Sequence, residues 1–216
     1  MAVSLLMHPV KAVHRGLNEF YYKRNEEKKI ALTFDDGPHP IYTKRILNIL
    51  KKYGVSATFF IIGENVRYYG DVLKDVVNEG HELGNHTFSH QNIKNKSAED
   101  ILSELNECTE AIYQSCGERT TLFRPPGGIM ADVCIRDTEI LSEYNIIYWS
   151  IDTHDWAHES PCKIAENVIK NIKSGDIILM HDYIGRNSPT PDALEIIIPE
   201  LQRLGFEFVT VSELIL

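Results

Sequence analysis

The chain has 216 residues, 43% of them hydrophobic, with 22 Lys and Arg against 31 Asp and Glu and a formal net charge of -9. One domain of this length buries an adequate core without disulfide or metal support, and the acidic balance excludes polyanions such as nucleic acid as natural partners. The four cysteines at 108, 116, 134 and 162 form no C-x-x-C pair and read as free thiols; Cys108 and Cys116 share a predicted helix about 12 Å apart, beyond disulfide reach.

The first sixteen residues, MAVSLLMHPVKAVHRG, hold an apolar run broken by His8, Pro9 and Lys11, too short for a signal peptide or a membrane span. A leader or anchor removed upstream would leave the same pattern, so the run assigns no compartment. Residues 14–28 read as a charged spacer. The chain thus divides into an N-terminal extension over 1–28 and one large domain over 29–216.

From Lys29 onward, short β-rich apolar runs alternate with longer stretches of helical period, as in an α/β fold with parallel strands. The pattern predicts a strand at 30–34, a helix at 43–53, a strand at 57–62 and a helix at 67–78. A strand at 82–85, a helix at 98–115, a strand at 121–124 and a helix at 132–144 follow. The last elements are a strand at 146–151, a helix at 163–173, a strand at 177–180, a helix at 193–204 and a strand at 206–211. Gly54, Gly80, Gly117, Gly175 and Gly205 stand where left-handed caps would close helices. About seven parallel strands fit an open doubly wound sheet or a closed irregular barrel, and periodicity does not choose. In either case ligands bind at the C-terminal ends of the strands, so polar residues just past a strand are the ones to read for chemistry.

The first strand runs into Asp35-Asp36-Gly37-Pro38. An Asp-Gly turn is the ordinary account, yet two adjacent carboxylates repel more than a turn requires, and a nearby cation would relieve them. The third strand ends in Asn85-His86-Thr87-Phe88-Ser89-His90. Histidines at i and i+4 share a face if the segment coils into a helical turn, where they can bind one divalent metal; an incidental pair is the alternative. With a carboxylate from the first strand the set becomes Asp-His-His, three ligands that leave coordination positions open for water and substrate, as catalytic sites do. The fourth strand ends in Phe123-Arg124-Pro125-Pro126-Gly127-Gly128. This is either a rigid loop or a site where Arg124 orients a carboxylate and a backbone N–H near Gly127 stabilises an oxyanion.

The fifth strand leads into Asp152-Thr153-His154-Asp155-Trp156, where Trp156 either packs in the core, its ordinary role, or flanks a sugar ring. The sixth delivers His181-Asp182. A histidine with a neighbouring carboxylate has the pKa range of a general acid that protonates a departing amine, and His181 is the candidate. His39, His81, His154 and His158 are assigned to loops and surface. No G-x-S-x-G elbow and no Gly-rich phosphate loop occurs.

Together, the segments from Thr33 to His181 resemble the five ordered motifs of the polysaccharide deacetylases, the NodB-like carbohydrate esterases of family 4. The resemblance implies a distorted (β/α) barrel of about seven parallel strands. It further implies Asp35 as general base, Asp36, His86 and His90 as metal ligands, Arg124 as the residue that positions the base, His181 as the acid, and Asp155 as the aspartate that tunes it. Pro126 and Gly127 would border the substrate, the backbone at 127 serving the oxyanion, while Trp156 and Leu179 would wall the acetyl pocket. One departure is Gly127, where the third motif commonly carries an aromatic, often tyrosine; the backbone donor survives, but the ring that shapes the substrate groove is lost.

The activity implied is metal-dependent removal of N-acetyl groups from an amino-sugar polymer, peptidoglycan or a chitin-like oligomer of N-acetylglucosamine. Zinc (Zn2+) is the expected divalent metal, with Co2+, Ni2+ or Mn2+ as alternatives. Two rivals stay open: an acetyl-ester hydrolase acting on xylan or another O-acetylated glycan, and a catalytically silent carbohydrate-binding domain. The partner expected is an N-acetylated polysaccharide or oligosaccharide, with no nucleic acid and no membrane segment in this chain. The resemblance implies work in the cell envelope or outside the cell.

Overall fold

A computed structural model describes residues 16–216, so the apolar run at residues 1–15 lies outside the described residues. Nine strands follow in chain order: β1 (Asn18–Phe20), β2 (Lys29–Gly37), β3 (Thr58–Ile61), β4 (Glu82–Asn85), β5 (Leu122–Phe123), β6 (Asn145–Ile147), β7 (Ile151–Asp152), β8 (Ile177–His181) and β9 (Glu207–Val209). Every ladder between them is parallel. The sheet order is β1-β6-β5-β4-β3-β2-β8-β7, with β9 paired to the first residues of β2. The crossovers are helical: α1 (Tyr42–Tyr53), α2 (Gly63–Asn78), α3 (Ala98–Cys116), α4 (Asp132–Arg136), α5 (Pro161–Asn171), α6 (Thr190–Arg203), and finally α7 (Val211–Ile215).

The parallel, distorted barrel is as expected, with nine strands rather than about seven. The difference arises at the strand expected over 146–151. It breaks into β6 and β7, which sit near opposite ends of the sheet order. The sheet therefore curls until residues 148–150 bridge its edges, with the Tyr148 N–H donating to Phe20 O at 2.8 Å and the Ser150 N–H to Ile177 O at 3.0 Å. The break has a polar cause: the carbonyls of Ile147 and Tyr148 accept from the Arg124 guanidinium at 3.1 and 3.0 Å, so they cannot continue a ladder.

The other additional strand, β1, lies in the segment read as a spacer. It pairs with β6, Tyr21 stacks on Tyr148 with centroids 4.5 Å apart, and Arg24 pairs with the buried Asp176. Gly175 shows why this segment fits so tightly, since a Cβ there would stand 1.9 Å from the Lys23 carbonyl oxygen. Gly175 thus serves a backbone contact, whereas Gly54 and Gly117 cap α1 and α3 in the left-handed region as expected.

Strand alternation divides the core. Ile30, Leu32 and Phe34 join the helices α1 and α6 in one buried cluster, while Ala31, Phe60, Ile147 and Ile177 fill the barrel with residues of α7. Each of the Ile, Leu and Phe side chains, fully buried, contributes about 1.5–3 kcal/mol. The helix expected over 132–144 is shorter than its pattern. Asp137 turns to an extended conformation and its carboxylate accepts the Glu139 N–H, so α4 ends at Arg136 and a separate 3-10 turn, Thr138–Leu141, begins. The strand expected over 206–211 likewise stops early, because Thr210 and Glu213 form a capping box that starts α7. His81 is not a surface residue: it is buried, its Nδ1 accepts the Ala57 N–H at 3.2 Å and its ring packs edge-on to Phe59. Among the described residues no helix is long and apolar enough to cross a membrane.

Candidate active site

Because Ile30, Leu32 and Phe34 face the helices, Thr33 and Asp35 face the barrel interior. The parallel register sets Asp35 beside His181 of β8 at the C-terminal mouth. Beneath them lies Arg124, completely buried. Its Nη1 donates to Asp35 Oδ1 at 2.7 Å and to Thr33 Oγ1 at 2.8 Å, and its guanidinium lies 4.0 Å over the Phe60 ring. With the two carbonyls already described, the buried cation has the partners that such burial demands. Burial by itself would raise the Asp35 carboxyl. The charge and hydrogen bond of Arg124, with the charge of His181, outweigh it and hold the group below the usual carboxylate range. Asp35 is therefore an ionised carboxylate with a fixed orientation.

The histidine segment after β4 does not coil into the helical turn expected of an i, i+4 pair. Thr87 and His90 adopt left-handed φ values of 68° and 54°, and the loop is fastened from both sides. Asn85 Oδ1 accepts the Thr87 N–H at 2.8 Å; Glu104 of α3 accepts the N–H groups of Phe88 and Ser89 at 2.9 and 2.8 Å and the Ser89 hydroxyl at 2.6 Å. The imidazoles of His86 and His90 are thereby brought within 4.9 Å, centroid to centroid. His86 Nδ1 donates to the Arg124 carbonyl at 2.7 Å, which fixes the tautomer and leaves Nε2 with its lone pair toward the carboxylates.

Asp36 completes this cluster. Its Oδ1 lies 3.2 Å from His90 Nε2 and 3.6 Å from His86 Nε2, and it is a buried oxygen with no hydrogen-bond partner. One potential ligand atom from each of Asp36, His86 and His90 falls within 4.8 Å of the others. Converging lone pairs around an orphaned carboxylate oxygen are what a divalent cation satisfies, and the three residues fit one. His90 and Asp36 keep partial exposure, which leaves that side open to a ligand.

On the other flank, His181 Nδ1 donates to Asp155 Oδ1 at 2.8 Å, and its backbone N–H donates to Asp155 Oδ2 at 2.8 Å. Asp155 is buried and also accepts from the Thr190 hydroxyl and the Trp156 N–H. Burial alone would lower the His181 pKa, but the Asp155 hydrogen bond and charge, with Asp35 and Asp36 behind them, raise it to about 9. The carboxylate that meets His181 is thus Asp155, not its sequence neighbour Asp182. Asp182 is buried against Gly37, where it accepts the Thr43 hydroxyl at 2.5 Å and its N–H donates to Asp35 O. Burial, together with the charges of Asp36 and Asp35, pushes its carboxyl up to about 7.

The remaining expected residues border this centre. Leu179 is buried in register with Thr33 and Asp152. Trp156 is 51% exposed, with its indole N–H donating to Asp152 Oδ1 at 3.2 Å, so core packing is excluded for it. Pro126 is buried at the start of a single 3-10 turn, and Gly127 follows it, exposed, at a left-handed φ of 62°. A Cβ at 127 would meet only Ile129 Cδ1, at 4.0 Å, so the space where the third motif commonly carries a ring is open. Of the leftover histidines, His158 is on the surface and His154 is half-buried in the loop after β7, whereas His39 is stacked against Tyr183 beside the mouth. Sequence reasoning missed Glu104, Asn85, Thr33 and Thr190. Asn85 and Thr33 adjoin motif residues and were findable; nothing local marked Glu104 or Thr190.

A barrel whose mouth opposes an ionised aspartate and a raised histidine across three residues that fit a divalent cation is a hydrolase scaffold. The chain belongs to the polysaccharide deacetylase family, whose model, "Polysaccharide deacetylase", matches residues 22–145. It is 41% identical over 192 residues to a peptidoglycan-N-acetylglucosamine deacetylase of Bacillus cereus, covering 88% of this chain and 90% of that one. The crystal structure of the Bc1960 peptidoglycan N-acetylglucosamine deacetylase superposes with a TM-score of 0.87 at 33% identity, covering 92% of both chains. That of a family 4 acetyl xylan esterase from Clostridium thermocellum in complex with a cobalt ion gives 0.79 at 36% identity, over 87% of this chain and 90% of the other. The family resemblance read from the five motifs is borne out.

Proposed function

We propose that the protein removes N-acetyl groups from the N-acetylglucosamine units of peptidoglycan or a chitin-like oligomer, with zinc as the ion of Asp36, His86 and His90. The observation that carries this reading is the opposite tuning of two neighbours: Asp35 held ionised by Arg124, and His181 held protonated at neutral pH by Asp155. One group can take a proton and the other can give one, which is what amide hydrolysis requires. Asp35 accepts a proton from the attacking water. The backbone N–H at Gly127 faces the oxyanion, and His181 protonates the sugar nitrogen as the C–N bond breaks and acetate departs. A divalent ion in the cluster supplies Lewis acidity, which acidifies water enough for a base as weak as Asp35. Trp156 and Leu179 line the acetyl pocket, with Pro126 on the substrate side.

The relatives named for peptidoglycan N-acetylglucosamine support that substrate, and cell-envelope action follows from it. A second reading, cleavage of acetyl esters on xylan or another glycan, is favoured by the likeness to the acetyl xylan esterase. The two separate on the acid, because an ester expels an alcohol and depends less on proton donation than an amide does. The test is acetate release from peptidoglycan, chitooligosaccharides and acetylated xylan by metal-stripped protein before and after zinc is restored. Zinc-restored release from an N-acetylated glycan supports deacetylation; release from xylan alone overturns it.

A further inference from the structure

Several aromatic rings that the reaction does not use run from the mouth along its outer wall. His39, just past Asp36, stacks on Tyr183, just past His181, with centroids 4.4 Å apart and planes 6° from parallel. Tyr69 of α2 approaches the same imidazole at 6.0 Å, and Tyr68 lies 6.2 Å from Tyr69. The outer rings face solvent, Tyr68 at 72%, Tyr183 at 39% and Tyr69 at 37% exposure.

The row is held in place. His39 Nδ1 accepts the N–H groups of Ile41 and Tyr42, both at 3.2 Å, so its plane is set by the first turn of α1. Helix α2 leaves helical geometry at Tyr69, with φ -132° and ψ 26°, and the Gly70 carbonyl just past the break accepts the Ser115 hydroxyl at 2.9 Å. Successive side chains in an unbroken helix diverge by about 100°; the break lets Tyr68 and Tyr69 lie together. A cleft of about 780 Å³ runs alongside, lined by Pro40, Tyr68, Tyr69 and Phe88 among others. Phe88, which lines this cleft, stands in the loop between His86 and His90.

Exposed tyrosines combine an apolar face with a polar tip, and a pyranose ring combines an apolar C–H face with a rim of hydroxyls, so the two stack. Gly127, just past β5, carries no ring. We propose that Tyr183, His39, Tyr69 and Tyr68 form a ledge that binds the sugar units next to the reactive one on an extended glycan chain. This rests on the deacetylase reading and adds to it a preference for long substrates, since a short oligomer fills the catalytic mouth without reaching α2.

The test compares the dimer and the hexamer of N-acetylglucosamine as substrates for the zinc-loaded wild type and for Tyr69→Ala, Tyr183→Ala, Tyr69→Phe and Tyr183→Phe. In the alanine variants KM for the hexamer rises about fivefold, the loss of one ring contact, while kcat stays at the wild-type value and, in Tyr69→Ala, so do the dimer's constants. The phenylalanine variants keep the ring and match the wild type. An unchanged hexamer KM in the alanine variants, or an equal rise for dimer and hexamer in Tyr69→Ala, overturns the ledge. Calorimetry measures hexamer binding to the same proteins without turnover. A wild type that binds the hexamer fivefold more tightly than the alanine variants yet releases no acetate refutes the deacetylase reading and keeps the ledge; a wild type that does not bind it refutes the ledge.

Discussion

Replacing Asp155 by Asn tests whether the buried carboxylate sets the working pH of His181. In the folded protein the His181 pKa rises from its ordinary 6.5 to about 9, and among the groups that raise it the Asp155 hydrogen bond and charge come first. Burial acts in the opposite direction and only the weaker charges of Asp35 and Asp36 remain to raise it, so without the Asp155 charge the value falls toward 6.5, a change of up to ~2 units or about 3 kcal/mol between protonation states. The wild type keeps His181 protonated up to about pH 9 and loses the acid as pH rises through that value. In Asp155→Asn the same loss moves down toward pH 6.5, where at about pH 7.5 roughly a tenth of the molecules would carry the proton, so kcat/KM on an N-acetylated oligosaccharide drops by up to about tenfold there. At about pH 5.5 the two enzymes converge. The assay is kcat/KM against pH for both proteins, with thermal melting to verify the fold. An alkaline limb at the same pH in both, with activity lowered uniformly, would refute the reasoning and make Asp155 a packing residue.

Arg124→Met leaves Asp35 buried without its cation, and the expected cost is about 3–5 kcal/mol in urea unfolding; an unchanged midpoint would mean that the pair contributes nothing to the fold. Glu104→Ala releases the loop that aligns His86 and His90 while sparing every ligand atom. Zinc affinity by titration is expected to fall roughly 10- to 100-fold, and an unaltered affinity would show that the loop holds itself. Asp182 has a folded value of about 7 against an ordinary 3.8. The folded state therefore binds more protons between those values, and this group's contribution to stability is complete below about pH 4 and is lost as pH rises through 7. Asp182→Asn removes that dependence, so melting curves of variant and wild type should diverge in the variant's favour from about pH 4 to pH 8; parallel curves would sink the assignment.

Much of the chemistry is legible in the sequence because each chemical group lies at or just past the end of a strand. Asp35, Asp36, His86, Arg124, Asp155 and His181 can be read in order without a structure; the structure links the first four to one another and Asp155 to His181, and the sheet register sets His181 beside Asp35. Where local reading fails, a distant partner decides the matter. The pair His86 and His90 converges through an irregular loop rather than a helical turn, because Glu104 on α3 supplies acceptors that the local sequence lacks. Trp156 belongs to the core by residue type, but its indole finds Asp152 at the rim instead. His81 belongs to the surface by the same reasoning and is buried, as its ring satisfies the Ala57 N–H.

Periodicity and capping residues set which segments would be strands and helices, since alternation at two and at 3.6 residues depends only on neighbours along the chain. The resemblance carried by the five ordered motifs likewise pointed to the family without any coordinates. Closure of the barrel was beyond such reasoning. It depends on one apolar run breaking at Tyr148 so that a guanidinium from another strand can take two of its carbonyls, and a backbone group's choice between ladder and side chain is made only when distant segments meet. The same holds for the tuning of the site: the opposite shifts of Asp35 and His181 arise from burial and from charges brought close by the sheet register, and those distances exist only in three dimensions.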